Sequence, residues 1–176
     1  DNGASPGAGN VGYGPFVDLY LPATGADGAS LPHDGVRYIA GSARYLGVVL
    51  ADVIQTFPAG PLGASGCAAF QSAVVHPYAR GVGGTAVPVC GTPGDQLVTL
   101  RLPTASVTPL QPPASIRFEA SVSPFADQLV PLQLRAEGGF SLGSDPVAGT
   151  SIYNPAGFTA TTQITPTVLE LAVSPS

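Results

Sequence analysis

Glycine and proline recur so closely along this chain that no stretch keeps a helical period of apolar residues for three turns. There are 23 glycines and 19 prolines, spread throughout its 176 residues. Proline lacks the N–H that an α-helix needs and clashes with the preceding turn, and glycine loses the most backbone freedom on ordering. This punctuation leaves room for short extended segments. Runs in which apolar and polar residues alternate, bounded by Gly and Pro, are common, and that is the pattern of half-buried strands. The chain is therefore expected to be all-β: an antiparallel β-sandwich (Ig-like, pilin-like or jelly-roll) of eight to ten strands with little or no helix.

The clearest strand is Ile116 to Val122, with Ile116, Phe118, Ala120 and Val122 on one face and Arg117, Glu119 and Ser121 on the other. A second runs from Val130 to Glu137, with Val130, Leu132, Leu134 and Ala136 inward and Gln133, Arg135 and Glu137 outward. Paired antiparallel, these two would set Arg and Glu across from each other. Leu97 to Leu102 is a third, ended by Pro103, which cannot donate to a central ladder. Tyr45 to Phe57 is rich in Leu, Val and Ile and is expected to hold a buried strand, with a short helix as the alternative. Further strands are expected near Ala73–Tyr78, Gly157–Ile164 and Thr167–Val173.

The N-terminus divides in two. Residues 1–10 are Gly-, Ala- and Ser-rich and read as a flexible arm, and residues 11–176 as one domain. In the next stretch Val11, Tyr13, Pro15, Val17, Leu19 and Leu21 fall on one face, and the other begins with Gly12 and Gly14. A terminal strand with an apolar face must bury it. Two readings stand: the first strand of its own domain, or a donor strand that completes a neighbour's sheet. The assembly residues in the second reading are Val11, Tyr13, Val17, Leu19 and Leu21.

Charge narrows the partners. Only 10% of residues are charged, the net charge is −5 and there is no Lys. Nucleic acid and anionic lipid both call for a basic surface, so neither is expected. Without Lys there is no Schiff-base chemistry and no Lys-derived isopeptide crosslink. A surface this poor in charge suggests cover by copies of the same chain. No run approaches the ~18 apolar residues of a membrane span. The chain starts at Asp1 and has no Met, as expected after signal-peptide removal or for a fragment. The two cysteines, Cys67 and Cys90, then read as one disulfide closing a loop of about 24 residues, worth about 3 kcal/mol in the chain-entropy account. Zinc is not expected, because Cys67, His76 and Cys90 lack the short paired spacings of metal knuckles.

Catalytic constellations are poor. There is no Gly-x-Ser-x-Gly elbow, and the only histidines are His33, in a Gly/Pro-rich loop, and His76, a strand residue before Pro77. Glu119 and Glu137 are the candidate acid pair for glycoside chemistry, but each stands beside an Arg on a polar strand face, as in a solvated salt-bridge ladder. Asp27, Asp34, Asp127 and Asp145 read as turn residues, and no calcium-loop spacing is present. Leu21-Pro22-Ala23-Thr24-Gly25 matches the sortase pentapeptide but lies near the N-terminus, with neither apolar stretch nor basic tail after it, so it reads as a strand end and turn. Asn2, Asn10 and Asn154 fail the N-glycosylation rule, while the Ser and Thr content leaves O-glycans open. No enzyme activity, cofactor or metal is expected.

Several stretches occur in a familiar order: Leu21-Pro22-Ala23-Thr24-Gly25-Ala26-Asp27-Gly28, Gly94-Asp95-Gln96-Leu97-Val98, Gln111-Pro112-Pro113-Ala114, Gly138-Gly139-Phe140-Ser141-Leu142-Gly143-Ser144-Asp145-Pro146 and Ile164-Thr165-Pro166-Thr167. In these the chain resembles long bacterial surface proteins built from tandem Ig-like conserved-repeat domains. The resemblance implies a secreted β-sandwich at the cell surface and carries no catalytic residues. The functional expectation is a structural subunit of an extracellular filament, pilus or surface layer, polymerised head to tail by strand donation. The alternative is a ligand-binding or adhesive module of a larger surface protein.

Overall fold

The computed structural model describes residues 11–25, 34–63, 66–81, 84–108, 111–142, 150–153 and 159–167. It is nearly all β, 52% strand and 2% helix, with antiparallel sheets, as the Gly/Pro punctuation requires. Strand β1 is Gly12–Leu21, β5 Ala51–Thr56, β8 Gln96–Arg101, β12 Leu132–Leu142 and β13 Thr150–Tyr153; together they form the main sheet in the order β13-β12-β1-β8-β5. Two more strands join this sheet: β14 (Thr159–Ile164) pairs with β12, and β9 (Ser106–Val107) pairs with β1. The short strands β2 (Val36–Tyr38) and β11 (Ala120–Val122) pair with each other, and β3 (Arg44–Tyr45) lies between β4 (Val48–Val49) and β10 (Ile116–Arg117). Finally, β6 (Ser72–Arg80) and β7 (Ala86–Gly91) form a separate hairpin.

The main sheet is covered on both faces. On one, Leu19 and Leu21 of β1, Val98 and Leu100 of β8, and Leu132 and Leu134 of β12 pack with Val36, Tyr38, Ala43 and Leu50, and with the half-buried Ile116 and Phe118. On the other, Tyr20 of β1 and Leu97 of β8 pack with Phe57, Val89 of β7 and the half-buried Val74 of β6. Leu97, Val98, Thr99 and Leu100 are consequently all fully buried, where alternation predicted one inward face. The disulfide forms as expected: Cys67 and Cys90 are joined, with Cα atoms 5.4 Å apart. It ties the loop ahead of β6 to β7, the hairpin that covers the second face.

Three strand expectations are corrected. Ile116–Val122 breaks after Arg117 because its halves pair with different strands, Ile116 with Tyr45 and Ala120 with Tyr38; Ala120 and Val122 are exposed. The segment Tyr45–Phe57 is not a buried strand. It is a hairpin, β3–β4, followed by the sheet-edge strand β5, and Leu46, Val48, Val49 and Ile54 are all exposed. The strand expected at Val130–Glu137 runs instead from Leu132 to Leu142. It does not pair with 116–122, so the expected Arg/Glu ladder does not form: Arg135 bridges Glu137 on its own strand at 3.3 Å, and Glu137 is buried. The arm 1–10 and residues 168–173 of the C-terminal strand lie outside the described residues.

Candidate functional site

The N-terminal strand is the middle of the main sheet. On one side β1 pairs with β12, Val17 opposite Gly138 and Leu19 opposite Ala136. On the other it pairs with β8, Val17 opposite Leu100 and Leu19 opposite Val98. Of the candidate assembly residues, Leu21 is fully buried, Leu19 nearly so, and Val11, Tyr13 and Val17 are half-buried. They do not share one face. The register with β12 slips by one residue between Tyr13 and Phe16, and Gly14 there has φ +56°. The bulge turns Tyr13 to the side opposite Val17, Leu19 and Leu21, where it lines a cleft with Pro77, Tyr78 and Arg101.

The opposite face of β1 is not a bare glycine face. It carries Phe16, Asp18 and Tyr20, all buried. Phe16 lies over Gly139 of β12, whose missing Cβ makes room for the ring, and Gly12 similarly sits under Phe140 on the other face. Between Phe16 and Tyr20 stands Asp18, fully buried and opposite Thr99 of β8. A carboxylate there must be matched by donors, and it is. Thr99 Oγ1 donates to Asp18 Oδ1 at 2.7 Å, and His76 Nε2 of β6 lies 3.1 and 3.2 Å from the two carboxylate oxygens. Thr99 and His76 are also fully buried, and Phe16 packs on the His76 ring with centroids 4.5 Å apart.

The hydrogen-bond pattern fixes the histidine tautomer. His76 Nδ1 accepts the backbone N–H of Ala79 at 2.6 Å and of Tyr78 at 3.1 Å. A nitrogen that accepts carries no proton, so the ring proton is on Nε2 and is donated to Asp18. Nδ1 can be presented to two N–H groups because β6 is irregular between Val75 and Arg80, where its register with β7 slips, and Arg80 holds that irregularity by donating to the carbonyls of His76, Pro77 and Ala79. With one ring nitrogen on Asp18 and the other on backbone amides, the imidazole has no lone pair directed at a nucleophile. Thr99 touches the carboxylate, not the ring. The chemistry of the trio is positional.

The remaining candidates are not brought together. Glu119 is exposed between β10 and β11, while Glu137 is buried in β12, facing Asp18 across the ladder. Asp34 lies in a bend, as expected, but it is buried, and neither carboxylate oxygen meets a donor among the described residues. Asp127 is exposed; His33, Asp27 and Asp145 lie outside the described residues. The sortase-like pentapeptide is a strand end and bend, as expected, with Ala23 N–H donating to Asp95 Oδ1 at 2.8 Å. Burial raises the Asp95 carboxyl above its ordinary value, with the Ala23 N–H and the Thr92 hydroxyl pulling the other way. Burial also raises the Tyr38 phenol, as does its hydrogen bond to Asp52. The described residues contain no cluster of three metal ligands and no helix long and apolar enough to cross a membrane.

Sequence reasoning missed the trio because it followed the more regular face of β1. The signal was present: Phe16 and Tyr20 flank Asp18 at period 2, and a lone acid between two aromatics on a strand calls for a buried partner.

Fold and site define an all-β, disulfide-bonded protein of a kind suited to an oxidising environment. No family model, curated protein or solved structure matches the chain.

Proposed function

We propose that this chain is a structural subunit of an extracellular filament, pilus or surface layer, joined to further copies of itself by exchange of β1. One observation carries the reading: an N-terminal strand lies in the centre of the main sheet, paired on both sides. The strand is held by two backbone ladders and by the side chains it buries. Its departure would open a groove with unpaired backbone groups on β8 and β12 and would uncover Val98, Leu100, Leu132 and Leu134. The same ladder forms whether the strand comes from its own chain or a neighbour's. A contact of this kind is head-to-tail and propagates without closing, and it fits a surface of so few charges. No nucleic acid, membrane insertion or catalysis belongs to this function; Ser and Thr remain available for O-glycans.

The test uses two full-length variants, Tyr13→Cys and Ser106→Cys, positions that face each other in register. Mixed under assembly conditions, they should give covalently linked chains, and negative-stain images should show fibres or sheets. Crosslinking only within a chain carrying both substitutions, with a monomer on native gels, would overturn the reading. A clean monomer would favour an adhesive module instead. That second reading draws on the open cleft of about 920 Å³ lined by Tyr13, Pro77, Tyr78, Arg101 and Thr104, where the Arg101 guanidinium lies 5.5 Å from the Tyr78 ring centroid.

A further inference from the structure

We infer that Asp18 is the key by which the β1 groove recognises its strand, so that the groove accepts a copy of this chain's own β1 in one register and rejects other apolar strands. The inference rests on the strand-exchange reading and adds to it the source of its selectivity.

The groove left by β1 is apolar on one face. On the other it presents two buried donors, Thr99 Oγ1–H from β8 and His76 Nε2–H from β6, both aimed at the position of residue 18. The donor character of His76 is not adjustable, because its other nitrogen is held as an acceptor by the Ala79 and Tyr78 amides. An entering strand must therefore bring an acceptor to that one point. A slip by one residue would bring Val17 or Leu19 there and turn every side chain to the wrong face. A slip by two would keep the faces but bring Phe16 or Tyr20 to the donors. Each alternative leaves buried donors unsatisfied, the more costly side of hydrogen-bond energetics. The apolar residues of β1 supply adhesion that many strands share; the carboxylate discriminates. One feature opposes it: Glu137 stands opposite Asp18 in register, and like charges so placed repel, although Arg135 bridges Glu137. Both that repulsion and plain apolar burial would favour leucine at position 18, which makes the test sharp.

Labelled peptides spanning residues 9–22 are added to the unaltered full-length chain during refolding, and retention on the folded protein is read by size exclusion. The peptides are the natural sequence, Asp18→Asn and Asp18→Leu. The natural peptide should be retained, Asp18→Asn less, since a neutral amide is the weaker acceptor for the two donors, and Asp18→Leu at least tenfold less. Retention of Asp18→Leu equal to or above the natural peptide would overturn the key while leaving strand exchange standing. Failure to retain any peptide, the natural one included, would overturn strand exchange and the key with it.

Discussion

At the scale of single residues, the energetics concentrate where a side chain breaks a local rule. Asp18 is a charge in a core, and its cost is offset by Thr99 and His76. Asp18→Ala would leave two neutral donors buried without that acceptor and should destabilise the fold by about 1–3 kcal/mol, the cost of an unsatisfied buried polar group; chemical denaturation measures this. Leu46 breaks a different rule. The β3–β4 hairpin turns at Leu46-Gly47, with φ +49° and +84°, and the leucine is 84% exposed. Asparagine tolerates that conformation better, so Leu46→Asn should raise the thermal midpoint, with a gain of about 1 kcal/mol. Asp95 gives the pH dependence. Its carboxyl is raised by burial, so the folded chain holds this proton more tightly than the unfolded one. The resulting stability is fully present below the ordinary aspartate value, about 3.9, and is lost as pH rises through the raised value. Asp95→Asn keeps an acceptor for Ala23 N–H and should flatten the stability curve across that window.

At the scale of elements, the β6–β7 hairpin is the piece most dependent on others. It makes a two-stranded sheet of its own and buries His76 and Val89, and half-buries Val74, only by lying on the main sheet. An isolated hairpin is marginal in water, so its place rests on this packing and on the Cys67–Cys90 bond. Replacing both cysteines by serine should lower global stability by about 2–4 kcal/mol. Because the hairpin supplies His76, hydrogen exchange should show Ser72–Arg80 and Ala86–Gly91 losing protection before β12 does. Equal loss everywhere would mean that the hairpin is held without the crosslink.

At the scale of the whole molecule, the proposed interface is made of backbone ladders and apolar side chains. Charge enters it at Asp18 and Glu137, which face each other, are buried away from solvent and are screened little by salt, and at the partly exposed Arg135, whose bridge to Glu137 lies within β12. Assembly followed by light scattering should therefore change little between dilute buffer and about 1 M salt, whereas an interface built on exposed ion pairs would weaken across that range. The exposed Leu46, Val48, Val49 and Ile54 beside edge strand β5 are a second place where copies can meet. Ile54→Lys in the full chain distinguishes the two, since it leaves the β1 groove untouched and should leave assembly through β1 intact.

The amino-acid sequence determined the class of fold, because the spacing of Gly and Pro acts locally and forbids long helices whatever the tertiary context. It also determined the strands at Leu97–Leu102 and 132–137, the disulfide, and the turn after Leu21. Each follows from period, composition or residue type alone. Tertiary structure decided the partners. Alternation says that a residue faces a core but not which core, so it gave no sign that β8 has one on each side or that 116–122 divides between two strands. It missed the bulge at Gly14, because a single inserted residue reverses the phase of everything before it. It placed Val11 to Leu21 correctly as a strand but not as the centre of the sheet, since strand order depends on contacts between residues far apart in sequence. The trio joins residues 18, 76 and 99 for the same reason: a buried carboxylate announces that it needs donors, and only the packed sheet and its covering hairpin decide which donors those are.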